Sequence, residues 1–514
     1  MLAQIENLGA IGLNSDLAPW QLPTNAWTAL GNMRCADGQV GSFSGHDDFT
    51  TPTVVPHYLM AVASGASYFW LYPSTAKVYV YDGASHTDIT RSSGGDYSKG
   101  TARWNGCTIN GIPVINNVND DPQMWLPTNT STMLQKITGW NSNWKAKVIR
   151  SYKGFLFALD ITKSGTNYPY MVKWSASDTS GSIPTDWDET STTNDAGENQ
   201  LGETPGLLVD AVKLRDALMI YKEDAVYGVQ WVGGISVHRF YRISGLTGAL
   251  AQDCAVEFAS GQHFVLASGG KCYVHDGQNS RTVNDKVNQD FLKSAIDSDN
   301  YANCFVTQHH AASEVWVCYP EGGETYPNKA LVWNYEDNTW GSRDLPSDTT
   351  FIAPGIVADS VYTWDTLPYA TWDTWDGVWG SRSYSPVSAS LVGCTANTKL
   401  YQFDNEHQFD SVNPYCYAER IGLDLGNCSD LHTITQVYPH IESGDVDIDV
   451  WVGSQMSIQD TVTWEGPYSF NPSTGRKIDC RVTGVRHAIR YSTEADVSWA
   501  LTGYDVEYAR AGKR

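Results

Sequence analysis

Basic charge is scarce: 34 Lys and Arg stand against 57 Asp and Glu, for a formal net charge of −23. Tight binding of nucleic acid needs lysine and arginine to neutralise phosphate, so an acidic chain is a poor candidate for that class of function. The same imbalance suits a surface that must not stick to a polyanion. Charged residues of both signs make up only 18%, too few for a disordered chain or a coiled coil. No apolar run approaches the roughly 20 residues of a membrane-spanning helix. The opening MLAQIENLGAIGLNSDL lacks the basic stretch and apolar run of a secretory signal. A soluble protein, or one that assembles into something soluble, is expected. The ten cysteines include no CxxC pair, which removes zinc ribbons and redox motifs. Several sit in apolar strand contexts such as Val315–Cys318, so buried reduced thiols and assembly in a cytosol are expected. Walker A, nucleophile-elbow and HExxH motifs are also missing. The chain is expected not to be an enzyme and to carry no cofactor or metal.

What is abundant is aromatic and turn-forming: 20 Trp, 28 Tyr and 45 Gly, a composition that suits β-structure. In Ala330–Pro346, ALVWNYEDNTWGSRDLP, Leu331, Trp333 and Tyr335 alternate with Val332 and Asn334, the period of a pleated strand. A polar turn at Glu336–Asn338 leads to a second strand opening at Thr339-Trp340. One hairpin cannot bury its own apolar face, so it needs neighbours of the same kind. Val78–Gly83, Cys272–Gly277 and Leu400–Asn405 supply them, each an aromatic strand running into an Asp-Gly or Asp-Asn turn.

Strand groups recur at Tyr58–Asp82, Thr101–Trp125, Ala146–Trp174, Leu207–Val232, Ala255–His275, Tyr301–Trp340 and Phe351–Asp404. Spacings of about 40–50 residues are those of β-propeller blades. The period is ragged and gives about six blades, with five or seven compatible. Ser175–Gly202 reads as a long surface loop. Asp285–Asn300 reads as a lone short helix capped by Asn284 or Asp285. Residues 1–50 read as an extended arm, broken by Pro19 and Pro23 and carrying Leu13, Leu17, Trp20, Leu22, Trp27 and Val40 to dock elsewhere. After Asn413-Pro414 closely spaced strands form a compact β-sandwich-like domain. The expected division is therefore an arm (1–50) packed on the C-terminal domain (413–514), with the propeller (51–412) between them.

Five stretches together resemble a known family, the nozzle proteins (tail tubular B or tail hub) of short-tailed bacteriophages. They are Ile11–Val40, Val209–Gly234, Ala330–Pro346, Thr363–Trp375 and Trp499–Arg514. They span nearly the whole chain in matching order, and none is catalytic. The resemblance implies an all-β subunit, a propeller plus a β-rich platform built from both chain ends. It implies a homo-hexameric ring in the virion tail, assembled in the bacterial cytoplasm and seated below the portal and adaptor. It further implies contact with an adaptor (tail tubular A-like) protein and with a tail fibre or tailspike. Viral double-stranded DNA would pass through the ring without specific binding, and no stable membrane insertion is expected. The alternative is a propeller that binds or cleaves cell-surface glycan.

Four constellations could carry chemistry. Trp364-Asp365, Trp372-Asp373, Trp375-Asp376 and Trp379 form a run that suits either a sugar platform with paired carboxylates or aromatic strands with Asp at their turns. Ser175–Asp178 with Trp187 faintly resembles a sialidase Asp-box, at the wrong spacing. His309-His310 are adjacent and would face opposite ways on a strand, which prevents chelation. Asp445, Asp447 and Asp449 share one strand face, lack the wrapping loop of a calcium site, and are the candidate acidic face of a DNA channel.

Overall fold

Tight two-residue turns set the strand pattern. Asn110-Gly111, Lys153-Gly154 and Ser164-Gly165 all hold positive φ, the mirror-image turn that matches the twist of paired strands. The computed structural model describes residues 1–513 apart from 129, 235, 260, 288, 358–388, 427–429 and 444. Its hairpins assemble into seven four-stranded antiparallel blades. Blades 1 to 6 begin at the inner strands Met60–Ser64, Asn105–Ile109, Trp144–Tyr152, Leu208–Leu214, Ala255–Phe258 and Phe305–His309. Blade 7 begins at Thr349–Ile356 and takes its outermost strand, His46–Thr50, from near the N-terminus.

Neighbouring blades share apolar clusters all the way round. Val62 and Phe69 of blade 1 pack with Trp104 and Ile115 of blade 2. Blade 7 returns to blade 1 through Ala353, Val392, Tyr68 and Trp70. The ring is closed.

The seven expected strand groups each become one blade, so the count of about six is corrected to seven. The arm also divides. Leu2–Glu6 and Gln39–Ser42 pair with Trp499–Lys513, and Ala29–Gly31 pairs with Cys416–Leu423, all in the C-terminal domain. His46–Thr50 instead belongs to the propeller, where it pairs with Lys399–Phe403. Its sequence HDDFT has no alternating apolar face; the strand sits at a sheet edge, with Asp48 bound to Lys399 at 3.2 Å.

The C-terminal domain is a sandwich of two five-stranded layers. One contains Leu2–Glu6, Gln39–Ser42, Trp499–Lys513, Asp430–Ser443 and Ile478–Gly484; the other Ala29–Gly31, Cys416–Leu423, Arg486–Thr493, Ile448–Gln455 and Thr463–Phe470. Val437, Val450, Val452, Tyr491, Leu501, Tyr504 and Val506 fill the space between them, each fully buried. The first layer runs on through Met33–Ala36 into blade 6, so one ten-stranded sheet spans both domains. Two smaller expectations also change. The helix is only Gln289–Ala295, and Asn284 does not cap it, its side chain bonding Gly270 and Cys272 instead. The loop at Ser175–Gly202 contains the outer strand of blade 3, Gly197–Gln200.

Trp333 and Trp340 face each other across the blade 6 hairpin, with ring centroids 6.3 Å apart and both fully buried. Trp340 Nε1 donates to the Val283 carbonyl at 3.0 Å, tying blade 6 to blade 5. Alanine at either position should cost about 3–5 kcal/mol. Urea denaturation of each variant measures it, and unchanged midpoints would remove these rings from the core.

Candidate functional site

Two buried charge clusters stand out, and both fasten blades together. The first closes one end of the propeller axis. Arg150 on the inner strand of blade 3 meets Asp210 of blade 4 at 2.8 Å and Asp253 of blade 5 at 2.9 Å. Arg103, ahead of blade 2, donates across the axis to the carbonyls of Gln252, Ala302 and Cys304 at 3.0, 2.6 and 3.1 Å. Burial pushes the Asp210 carboxyl up, against the pull of Arg150. Each cation here is spent on a carboxylate or a carbonyl, so the cluster ties blades 2 to 6 together. Outside it lie two adjoining cavities of about 210 and 460 Å³, which share Glu223, Leu250 and Tyr301.

The second cluster joins the arm to blades 6 and 7. Asp404 accepts from Arg34 at 2.8 Å and from Arg343 at 3.2 Å, with His309 Nδ1 3.3 Å away. Arg343 also donates to the Gly45 carbonyl at 3.0 Å. Its guanidinium carbon lies 5.0–5.3 Å from the ring centres of Phe43, Trp316, Phe403 and Phe409. Burial alone would push the Asp404 carboxyl up; Arg34 and Arg343 overcome it and hold the carboxyl below its usual range.

With this geometry in hand, the chain can be set beside known proteins. The fold is a β-propeller. No protein-family model and no curated protein matches the sequence. Among solved structures, the chain is similar to the WD40 β-propeller domain of Doa1, at 9% identity and a TM-score of 0.39, over 70% of this chain and 97% of that one. It is also similar to the Cps50 (Swd1) β-propeller domain of Myceliophteria thermophila, at 8% identity and a TM-score of 0.41, over 70% and 99%. These likenesses are too distant to carry function; the seven blades carry the fold.

The residues singled out from sequence take modest places. Asp445 and Asp447 are exposed and Asp449 half-buried, while Ile448 and Val450 face the sandwich core. Burial, then Asp447 and Glu494, push the Asp449 carboxyl up, so this face gathers like charge. Asp445 accepts from the Asn471 amide at 2.9 Å. His309 is buried and His310 exposed, on opposite sides of their chain. Ser175 is buried within blade 3, and Trp187 packs edge-on to Trp140 with centroids 4.8 Å apart, so neither meets solvent as a site would. The Trp-Asp run from Trp364 to Trp379 lies outside the described residues. One carboxylate group close enough for a cation, Asp47 with Asp48 and Asp410, already holds the Lys399 ammonium.

Sequence reasoning missed both buried clusters. The available signal was single charges inside apolar strands: Arg150 in KVIRSY, Asp210 in LLVDAV and Arg343 after Trp340.

Proposed function

We propose that this chain is a non-enzymatic subunit of a short phage tail. It is a nozzle whose six copies form a ring, extend the DNA channel below the portal and adaptor, and take part in genome retention and ejection. The observation that carries the reading is the sheet shared by blade 6 and the sandwich, with both chain ends built into the latter. This is the architecture that the family resemblance implies, and the shared sheet joins the two domains by backbone hydrogen bonds. Arg103, ahead of blade 2, reaches over to the carbonyls leading into blade 6, and the channel of this proposal accordingly lies between copies rather than through one propeller. Six copies would carry a formal charge of 6 × −23 = −138. An acidic wall, with Asp445, Asp447 and Asp449 as its candidate face, repels duplex phosphate and keeps a layer of water and cations over a Debye length of about 8–10 Å.

Native mass measurement tests the ring. Six copies of 56.7 kDa give about 340 kDa, and low-resolution images should show a hollow six-fold ring. A monomer or trimer that acts on polysaccharide would replace this reading with the glycan one.

A further inference from the structure

We infer that the outer edge of blade 4 is a contact surface for a second copy of this chain, an inference that rests on the ring reading above. Blade edges elsewhere are short or covered. Outer strands run to three residues in blade 1 and blade 5, two in blade 2 and four in blade 3. Blade 6 is continued by Met33–Ala36, and the edge strand of blade 7 meets Phe409 at His46. Blade 4 differs. Its outer strand His238–Ile243 has six residues and pairs only with Val226–Trp231. No backbone group of that strand bonds anything else among the described residues. Such an edge is a row of open N–H and C=O groups ready to accept another strand.

The side chains fit an interface rather than simple edge protection. Arg239 and Arg242 are exposed, and among the described residues neither forms an ion pair. Charge alone would merely guard the edge. The same hairpin, however, exposes Trp231 at 48% and Val232 at 51%. The Lys153 ammonium, paired with Asp216 at 2.5 Å, lies 5.6 Å from the Trp231 ring centre. Tyr241 packs over Gly228, where any Cβ would stand 2.4 Å from the tyrosine ring. Trp, Tyr and Arg around an open strand are the residue types that dominate binding energy in protein contacts.

Charge names the occupant. Two arginines that form no ion pair among the described residues complement the excess of acid that a second copy brings, 57 Asp and Glu against 34 Lys and Arg. The blade 4 edge would meet a different surface of its neighbour, a heterologous contact, which closes into a ring when the rotation between copies divides the circle evenly.

The test compares the full wild-type chain with Arg239→Glu/Arg242→Glu and, separately, Trp231→Ser, by native mass spectrometry across a concentration series. Both variants should keep the wild-type melting temperature and need at least tenfold more protein to assemble. Hydrogen exchange should show the amides of residues 239–243 gaining protection only in the assembled wild type. A wild-type oligomer of another size that the variants lose would uphold the edge while refuting the six-fold reading. Rings that form equally well in both variants, or a wild-type chain monomeric at every concentration, would overturn the inference.

Discussion

Stability should fall steeply as pH drops from about 6.5 towards 4.5, before most carboxylates titrate. Of the buried histidines, burial holds five neutral: His46, His238, His263, His275 and His487. Burial pulls His46 and His263 down to about 3, and His238, His275 and His487 to about 4. In the unfolded chain each returns to about 6.5. Below that pH the unfolded chain binds protons that the native state refuses, so native stability is complete above 6.5 and is lost as pH falls. Each group contributes about 1.4 kcal/mol per pH unit at the limit, and five together roughly 7 kcal/mol per unit.

The hydrogen bonds explain why the native state refuses them. The Lys213 carbonyl can only accept, so His263 Nε2, 2.8 Å away, carries the proton. His263 Nδ1 then accepts from the Tyr221 hydroxyl at 2.6 Å, and that oxygen accepts from His275 Nε2 at 2.7 Å. His275 Nδ1 accepts from the Gly277 amide at 3.2 Å, so a proton added to either ring would face a donor. Tyr273 and Asp276 flank His275, and the acid is too exposed to offset burial. Among the described residues His238 has no partner at either nitrogen, and it sits among Phe155, Phe157 and Trp174, with centroids 4.6, 5.0 and 5.2 Å away. Urea midpoints at pH 7.5, 6.0 and 5.0 measure the slope, and His238→Phe should remove about one proton from it. Equal midpoints at pH 7.5 and 5.0 would refute the account.

The blades were legible because each carries its own evidence. Aromatic alternation and an Asp-Gly or Asp-Asn turn are local, and Val78–Tyr81 or Lys271–His275 needs nothing distant to be read as strand. The number of blades was less legible because the repeats differ in content. Blade 2 ends on two strands of two residues, Gln123–Met124 and Gln135–Lys136, whereas Gly197–Gln200 of blade 3 follows a long polar loop. Ring closure was invisible because His46–Thr50 pairs with residues more than 300 positions later. Strand alternation put Asp445, Asp447 and Asp449 on one strand face, but the strand begins at Ile448, so only Asp449 lies on it and Asp445 and Asp447 precede it. Arg34, Arg150, Asp210 and Arg343 look like ordinary outward positions on strands, and only the arrival of a neighbouring blade buries them.

The largest single-residue electrostatic effect is expected at Arg343. Its side chain is fully buried, and burial pulls the guanidinium down to about 10, still protonated at neutral pH. Around it, the two guanidinium groups of Arg34 and Arg343 face the two carboxylates of Glu314 and Asp404. Removing one cation leaves an uncompensated buried carboxylate, which costs far more than the net worth of the pair. It also empties a cage walled by Phe43, Trp316, Phe403 and Phe409. Arg343→Ala should therefore lower stability by about 3–5 kcal/mol. Arg343→Lys should cost less, since it keeps the charge and loses the fork that reaches both Asp404 and the Gly45 carbonyl. Pairing Arg343→Ala with Asp404→Ala should cost clearly less than the two single losses added, by more than about 0.5 kcal/mol. Limited proteolysis gives a second readout. Gly45 immediately precedes His46–Thr50, the strand that closes blade 7, so Arg343→Ala should expose the chain near residues 43–50 to cleavage before the rest of the propeller opens. Additive stability losses, together with an unchanged cleavage pattern, would mean that Arg343 fills space without locking the ring.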